Sequence, residues 1–133
     1  MLDNRAELSL YRLSMAKERL LSAKLLLDSG HYKDSIGRSY YAIFTSARAI
    51  LALDGADFAK HSGVISYFQR SYIKTNIFDV KYSKYISEAF QIRNNSDYAD
   101  FYIVSCEDAK EQYEHAVEFY ETIKFYLVNR LSV

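Results

Sequence analysis

The segment from Gly30 to Leu53 is too apolar to leave a broad helix face in water. Read at about 3.6 residues per turn, it carries two adjacent apolar stripes, so a helix formed here must be covered on most sides. The first stripe consists of Ile36, Tyr40, Ile43, Ala47 and Ile50, and the second of Tyr41, Phe44 and Leu51. We therefore expect this segment to be the central helix of a helical bundle.

A single polar line interrupts the apolar surface of this central helix. Its members recur every three or four residues and are Asp34, Arg38, Tyr41, Thr45 and Arg48. An unpaired charge is costly to bury, so two arginines on such a helix need acidic partners or a water-filled cleft. The line is the first indication of a functional site.

The segments on either side of the central helix also have helical patterns. The first helix is expected to begin at Asn4, with Glu7 completing a capping box. It should end before Gly30, because glycine readily takes the left-handed conformation of a helix end. A shorter third helix is expected over residues 60–73, followed by a loop over residues 74–79.

The second half of the chain adds two more helices to the prediction. A fourth helix should start near Val80 and fray at residues 94–96, where Asn-Asn-Ser are three poor helix formers. A last helix opens at Ser105, which is a suitable N-cap. No segment alternates polar and apolar residues as a strand does. The sequence therefore predicts an all-α fold, an antiparallel four- to five-helix up-and-down bundle, formed by one domain over residues 1–133.

Composition narrows the class of protein. The chain has no proline, and its only cysteine, Cys106, cannot form an internal disulfide, which is typical of a reducing compartment. No apolar run is long enough to span a membrane, and the N-terminal residues lack the pattern of a signal peptide. We therefore expect a cytoplasmic protein with no membrane association.

Charge is unevenly distributed, although the net charge is zero. The stretch 60–93 is mainly basic and interleaved with tyrosine and phenylalanine, whereas the stretch 97–121 is mainly acidic. Basic and aromatic residues together can hold phosphates and stack bases, but aromatic residues at helical spacing also fill cores. The pattern favours a basic pocket or head-to-tail contacts, and ordinary solvated helix faces would produce it too.

Arg93 is the strongest single candidate for a functional residue. Helix periodicity places it one turn beyond Ala89 and Phe90, where another apolar side chain is expected. Asp97 lies four residues later on the same face and can pair with the guanidinium. We interpret the pair as part of a site; the alternative is that it only closes the end of the helix.

The three histidines show no metal-binding or catalytic spacing. His31, His61 and His115 are scattered, and no two of them are four residues apart on one helix. The sequence therefore predicts no metal site and no cofactor. His61 follows Lys60 at a helix start, where backbone N–H groups favour phosphate, so we include it among the candidate phosphate-binding residues.

Four sequence motifs occur in an order that resembles a known family. The first motif is G-x-Y at residues 30–32, followed by R-S-Y-Y-A-x-F at Arg38–Phe44. The others are A-R-A-x-L at residues 47–51, H-x-G-V at residues 61–64 with Phe68, and Arg93-x-x-x-Asp97-Tyr98. In this order they resemble the HEPN domain family, and within it the small stand-alone proteins paired with minimal nucleotidyltransferases. The G-x-Y segment is also loosely similar to a tetratricopeptide repeat, but that interpretation needs a second copy, which is absent.

The resemblance implies a homodimeric helical bundle with a polar cleft at the dimer interface. Many members are metal-independent RNases, often toxins encoded beside a nucleotidyltransferase antitoxin, with an arginine followed a few residues later by a histidine. Arg93 matches the arginine, but residues 98–100 are Tyr-Ala-Asp. A tyrosine, with a pKa of about 10, exchanges protons poorly at neutral pH compared with an imidazole at about 6.5, so the residues favour binding over cleavage.

The resemblance also implies a possible modification. In related toxins the partner transfers AMP onto a tyrosine close to the arginine motif. By this analogy, Tyr98 and Tyr102 are the candidate AMP acceptors in this chain.

These observations lead to one main functional hypothesis and two alternatives. The main hypothesis is a dimeric HEPN-type protein that binds nucleotide or RNA and acts with a minimal nucleotidyltransferase in a module resembling a toxin–antitoxin pair. The phosphate-binding candidates are Arg38, Arg48, His61 and Arg93, and the candidate catalytic residues are Arg93, Asp97 and Tyr98. The alternatives are an RNase with an atypical motif that uses Tyr98 or His61, and a non-catalytic interaction subunit.

Overall fold

The central helix predicted from the sequence is the helix that all the others contact. The computed structural model describes residues 3–132, and within that range the chain forms five α-helices and no strand. The helices are α1 (Asn4–Asp28), α2 (Tyr32–Asp54), α3 (His61–Phe68), α4 (Val80–Tyr98) and α5 (Cys106–Leu131). Helix α2 packs against α1, α3, α4 and α5 and has more buried residues than any other helix. The predicted all-α bundle is therefore confirmed.

Buried serines join α1 to α2. The Ser9 hydroxyl donates to the Ala49 carbonyl oxygen at 2.7 Å, and the Ser35 hydroxyl donates to the Ala23 carbonyl oxygen at 2.8 Å. Small residues at this contact let the two backbones approach closely, and each hydroxyl is satisfied where it is buried.

None of the described helices combines the length and hydropathy needed to cross a bilayer.

The N-cap of α1 differs by one residue from the prediction, whereas the predicted signals at Gly30 and Ser105 are present. Asp3, rather than Asn4, caps α1, and its Oδ1 accepts from the Ala6 N–H at 2.8 Å. A carboxylate also interacts favourably with the positive end of the helix dipole, which an asparagine amide does to a lesser degree. Gly30 has the expected left-handed conformation, with φ of 81°, and Ser105 caps α5 by accepting from the Asp108 N–H.

The third helix is shorter than predicted. We expected a helix over residues 60–73, but α3 ends at Phe68 and the chain continues as a π-helical turn over Gln69–Ile73. A π turn holds one extra residue, which shifts the later side chains around the axis, and periodicity calculated for an α-helix does not detect it. The loop predicted over residues 74–79 is present.

The predicted fraying at residues 94–96 is wrong. Helix α4 continues to Tyr98, and Ser96 within that stretch is only 1% exposed. Tertiary packing of Ser96 and an ion pair between Arg93 and Asp97 outweigh the weak intrinsic helix propensity of the three residues. As a result, Arg93, Asp97 and Tyr98 all lie on regular helix.

Candidate functional site

Arg93 lies at the inner edge of the bundle among polar and aromatic side chains. Its side chain is 17% exposed, and its Nε lies 2.8 Å from Asp97 Oδ2, so the predicted ion pair is present. Its Nη2 donates to the Tyr41 hydroxyl at 3.0 Å. The guanidinium carbon is 5.7 Å from the ring centroid of Tyr40, 5.4 Å from that of Tyr41 and 6.0 Å from that of Tyr98. Helix α4 supplies the arginine and helix α2 supplies the two rings that hold it.

The guanidinium of Arg93 retains unused hydrogen-bonding capacity. Its Nε–H does not point at Asp97 Oδ2 despite the short distance, so that contact is ionic and Nε has no hydrogen bond within residues 3–132. Its Nη1 reaches only Asn94 Oδ1, at 3.5 Å. An arginine has five N–H donors; because Nε is buried, the Nη groups, which make one short hydrogen bond, are the ones that can contact another anion.

A groove of about 470 Å³ opens beside this arginine. Tyr41 and Asp97, the two partners of Arg93, form part of its wall. The groove is lined by Leu26, Lys33, Asp34, Gly37, Arg38, Tyr41 and Asp97. The exposed side chains of Lys33 and Arg38 bring two positive charges to it.

Gly37 keeps part of the groove open. A Cβ atom added at this position would have no neighbour within 4 Å, so packing does not require a glycine here. Glycine in the middle of a helix is less favourable than alanine by roughly 1 kcal/mol. The open space beside Gly37 is therefore a feature of the groove rather than of the core.

His61 lies on the other side of the two tyrosines. Its Nδ1 is 2.7 Å from the Tyr40 hydroxyl oxygen, and its ring centroid is 4.1 Å from that of Phe44. Burial lowers the pKa of His61 below its ordinary value, and the positive charges of Arg93 and Arg48 lower it further. The imidazole is therefore neutral at pH 7 and can accept a proton, but it does not line the groove.

Arg48 does not line the groove. Its Nη2 is 3.5 Å from Asp57 Oδ1 at the far end of α2, and its backbone carbonyl accepts from Arg12 Nη1 at 3.0 Å. Of the four candidate phosphate-binding residues, the structure therefore brings Arg38 and Arg93 together around Tyr41 and Asp97. His61 lies behind them, and Arg48 lies elsewhere along α2.

Comparison with known proteins identifies the family of this bundle. The HEPN domain matches residues 9–126, which is most of the chain. The chain belongs to the HEPN domain family. A UPF0332 protein of Thermotoga maritima is 33% identical over 109 residues, which cover 82% of this chain and 83% of that protein.

Two similar proteins of Methanocaldococcus jannaschii are named as candidate toxins. The first is 31% identical over 115 residues, covering 86% of this chain and 78% of that protein. The second is 34% identical over 86 residues, covering 65% of this chain and 64% of that protein. The likeness extends over nearly the whole bundle in the first case.

Tyr98 follows Arg93 and Asp97 at the place where the HEPN motif described above has its histidine. Its side chain is 75% exposed, and its ring lies beside the Arg93 guanidinium. Tyr102, the second candidate AMP acceptor, is half-buried and lines a different, smaller cavity with Glu88 and Asp108. Tyr98 is therefore more exposed to solvent than Tyr102, and of the two only Tyr98 contacts Arg93.

Sequence reasoning did not assign Tyr41 or Lys33, two polar residues of this groove, to the site. Tyr41 was recognised as part of the polar line but was not assigned to the site, although it is the hydroxyl that Arg93 contacts. Lys33 was not singled out at all. Both follow from one signal, because Lys33, Gly37 and Tyr41 are spaced by four residues and therefore lie on one face of α2.

Proposed function

We propose that this HEPN protein binds the phosphates of RNA or of a nucleotide in the groove beside Arg93. The observation that carries the proposal is the combination of Lys33 and Arg38 in the groove with the partly unsatisfied guanidinium of Arg93 behind Tyr41 and Asp97. Lysine and arginine bind phosphate directly, and the Tyr41 ring offers a face on which a base can stack.

We further propose that the protein acts in the cytoplasm as the toxin-like member of a pair with a minimal nucleotidyltransferase. Two similar proteins named as candidate toxins support the toxin-like role. The partner rests on the HEPN resemblance alone. Co-purification of the chain with the product of a neighbouring nucleotidyltransferase gene tests it, and separate elution of the two proteins would count against it.

A homodimer is part of the proposal. Tyr98, Phe101 and Ile103 are 75%, 100% and 86% exposed, and they lie at and just beyond the end of α4 that carries Arg93. Large apolar side chains exposed this close together favour a protein partner over bulk water. A second copy of the chain on this surface would enclose the groove, and light scattering of wild type and Phe101→Ser measures whether that dimer exists.

Tyr98 is the AMP acceptor that we propose, with Tyr102 as the less accessible alternative. A hydroxyl that is to attack a nucleotide held by another protein must be exposed, and Tyr98 meets this requirement better. Intact-mass and peptide spectra after co-expression with an active nucleotidyltransferase should show an added AMP that Tyr98→Phe removes. Tyr11→Phe, at a tyrosine that is 60% exposed, is the matched control. An unmodified wild-type chain would count against this assignment.

The central experiment measures RNA binding and RNA cleavage in the same samples. Labelled tRNA and single-stranded RNA are incubated with the untagged protein in EDTA, and both anisotropy and chain length are followed. We expect binding that Arg38→Ala weakens and that Arg70→Ala, at an exposed arginine with no place in the groove, leaves unchanged. Removal of one phosphate contact should lower the slope of log affinity against log salt by roughly 0.7. If the protein binds neither of these RNAs and a titration with ATP or AMP also shows no binding, the pure interaction subunit is the better hypothesis.

One observation favours an RNase as the second candidate function. His61 is neutral at pH 7 and lies within the electrostatic influence of Arg93, so it is an available base if the RNA reaches past Tyr40. Cleavage in EDTA that His61→Gln and Arg93→Ala both abolish would establish this function. Cleavage that survives either substitution would exclude the assigned roles.

A further inference from the structure

A second cluster of chemically active side chains lies between α4 and α5, on different residues from those of the groove. It consists of Glu88 on α4 with Glu111 and His115 on α5. One donor atom from each side chain lies within 4.8 Å of the other two. Glu111 and His115 are four residues apart on one helix, so they share a face, and Glu88 approaches them from the neighbouring helix.

The imidazole of this cluster is held in a fixed orientation. The ring of His115 stacks on the ring of Tyr85, with centroids 4.0 Å apart and an angle of 9° between the planes. Its Nε2 is 3.7 Å from Glu111 Oε1, and its Nδ1 is buried with no hydrogen-bond partner within residues 3–132. The carboxylates of Glu88 and Glu111 are therefore the charged groups next to this imidazole.

A buried glutamine lies beside the same cluster. Gln112 is 4% exposed. It lines a cavity of about 120 Å³ whose walls include Glu88, Glu111, Asp108 and Tyr102. Five of the six residues that line this cavity are polar, so a polar occupant suits it better than an apolar one. A cavity of this size holds a few water molecules, each of which takes about 30 Å³.

We propose that Glu88, Glu111 and His115 bind a divalent transition-metal ion, with zinc the best fit to the donors. Two carboxylates and one imidazole suit zinc and its neighbours, whereas magnesium and calcium favour oxygen ligands alone. Ligands on one zinc ion, with bonds of about 2.1 Å, lie roughly 3 to 3.5 Å apart, so the cluster must tighten. Glu111 is 60% exposed and can move inward to do so. Water on the ion would then hydrogen-bond to the Gln112 amide.

This proposal differs from the sequence-based expectation of no metal site. That expectation considered pairs of histidines and clusters of cysteine, and a site with one histidine does not fit either pattern. The signal present in the sequence is Glu111 followed four residues later by His115. The third ligand, Glu88, comes from another helix and becomes apparent only in the fold.

The test uses the untagged full-length protein after treatment with a chelator that is then removed. Zinc chloride is titrated by calorimetry, and Co²⁺ is used as a spectroscopic probe of nitrogen and oxygen ligation. We expect one ion per chain, a visible Co²⁺ absorption band, and a rise in Tm of about 5 to 10 °C at a hundredfold excess over Kd. A wild-type chain that binds neither ion overturns the proposal.

Two variants and two controls locate the ion. His115→Phe preserves a ring against Tyr85 but removes both nitrogens, and Glu88→Gln removes one carboxylate charge. Each should weaken zinc binding at least tenfold. His31→Ala and Glu114→Gln change an exposed histidine and an exposed glutamate outside the cluster and should leave binding unchanged. Equal zinc affinity in wild type and His115→Phe would overturn the proposal. The site does not depend on the proposed RNA binding, which is measured in EDTA, so each proposal can fail without the other.

Discussion

Two arginines in this bundle, Arg93 and Arg130, have similar neighbours. They differ in how many of their guanidinium N–H groups are hydrogen-bonded to those neighbours. Arg93 contacts Asp97 and Tyr41, and Arg130 contacts Asp54, Tyr72 and Tyr126. The Arg130 guanidinium is hydrogen-bonded to Asp54 Oδ1 at 2.8 Å, to the Tyr72 hydroxyl at 3.0 Å and to the Tyr126 hydroxyl at 3.3 Å. The Arg93 guanidinium makes one short hydrogen bond.

The acidic partners of the two arginines, Asp54 and Asp97, also differ in how many hydrogen bonds their oxygens accept. Asp54 Oδ2 accepts from the hydroxyls of Tyr67 and Tyr72 in addition to the Arg130 contact, so both its oxygens are used. Burial raises the pKa of Tyr72 above its ordinary value, and hydrogen bonding to Asp54 raises it further, so this hydroxyl stays protonated and donates. Asp97, by contrast, lines a groove and is 41% exposed. The two arginines therefore differ in the number of N–H donors that their neighbours leave unused, and our proposal assigns ligand binding to the one with more unused donors.

The largest expected effect is on stability at the Arg130 cluster. Asp54→Ala should lower the free energy of unfolding by about 2 to 3 kcal/mol, because it leaves an arginine and two tyrosine hydroxyls without their acceptor. The value is below that of a fully buried pair because the Arg130 side chain is 36% exposed. Urea denaturation measures it. Asp28→Ala, which breaks a surface ion pair with Lys24, is the control and should change stability by less than about 0.5 kcal/mol. Equal effects would show that the Arg130 cluster has no special structural role.

The second prediction separates the two arginines by RNA affinity. Arg93→Ala should weaken binding of single-stranded RNA by about tenfold, which corresponds to roughly 1.4 kcal/mol. Arg130→Ala removes the same charge from the protein and should leave the affinity within about twofold, although it lowers stability. Anisotropy titration at a fixed salt concentration measures both. If both variants lose affinity equally, net charge rather than the groove governs binding, and the distinction between the two arginines fails.

The third prediction concerns the groove itself. Gly37→Ala should raise the free energy of unfolding by about 0.5 to 1 kcal/mol, because alanine is the better helix former and nothing obstructs its Cβ. Gly37→Gln should instead project a longer side chain into the groove and weaken RNA binding. Thermal unfolding and anisotropy measure the two effects. A Gly37→Gln variant that binds RNA as well as Gly37→Ala would argue that the ligand lies elsewhere.

The smallest expected effect is the pH dependence contributed by His61. Its pKa is lowered in the folded protein, so below about pH 6.5 the unfolded chain binds a proton that the folded chain does not. The contribution of His61 to stability is therefore complete above that pH and is lost as the pH falls toward the folded pKa. We expect the stability difference between wild type and His61→Gln to decrease between pH 7 and pH 5. Curves that stay parallel over this range would contradict the prediction.

The sequence predicted the parts of the structure that depend on local periodicity. The central position of α2 followed from its two apolar stripes, and the Arg93–Asp97 pair followed from a spacing of four residues on one helix. The end of α4 was predicted wrongly because propensity does not include the tertiary burial of Ser96. The π turn after α3 is not apparent from the sequence because it departs from the period of 3.6 residues per turn of an α-helix.

The candidate site could be predicted only in part, because its members come from different helices. Arg93 and Asp97 share α4 and were found together, whereas the Tyr41 hydroxyl reaches Arg93 across 52 positions in the sequence. Arg38 and Arg48 belong to one polar line, but they are almost three turns apart on α2, so they cannot serve one small ligand. The spacing of residues along one helix shows which of them are neighbours on that helix. Only the packing of two helices shows which residues of one helix contact residues of the other.

The central position of α2 has a consequence for motion in the molecule. No part of α2 can open to solvent without separating it from α1, α3, α4 or α5, so its amide hydrogens should exchange only when the whole chain unfolds. The end of α4, by contrast, leads directly into residues 99–104, which lie outside the helices and carry an exposed Phe101 with φ of 62°. The groove thus has one wall on the helix whose amides we expect to exchange most slowly, and the other beside a segment that lies outside the helices. If RNA binds in the groove as we propose, we expect Asp97 and Tyr98 to move more on binding than Arg38 and Tyr41.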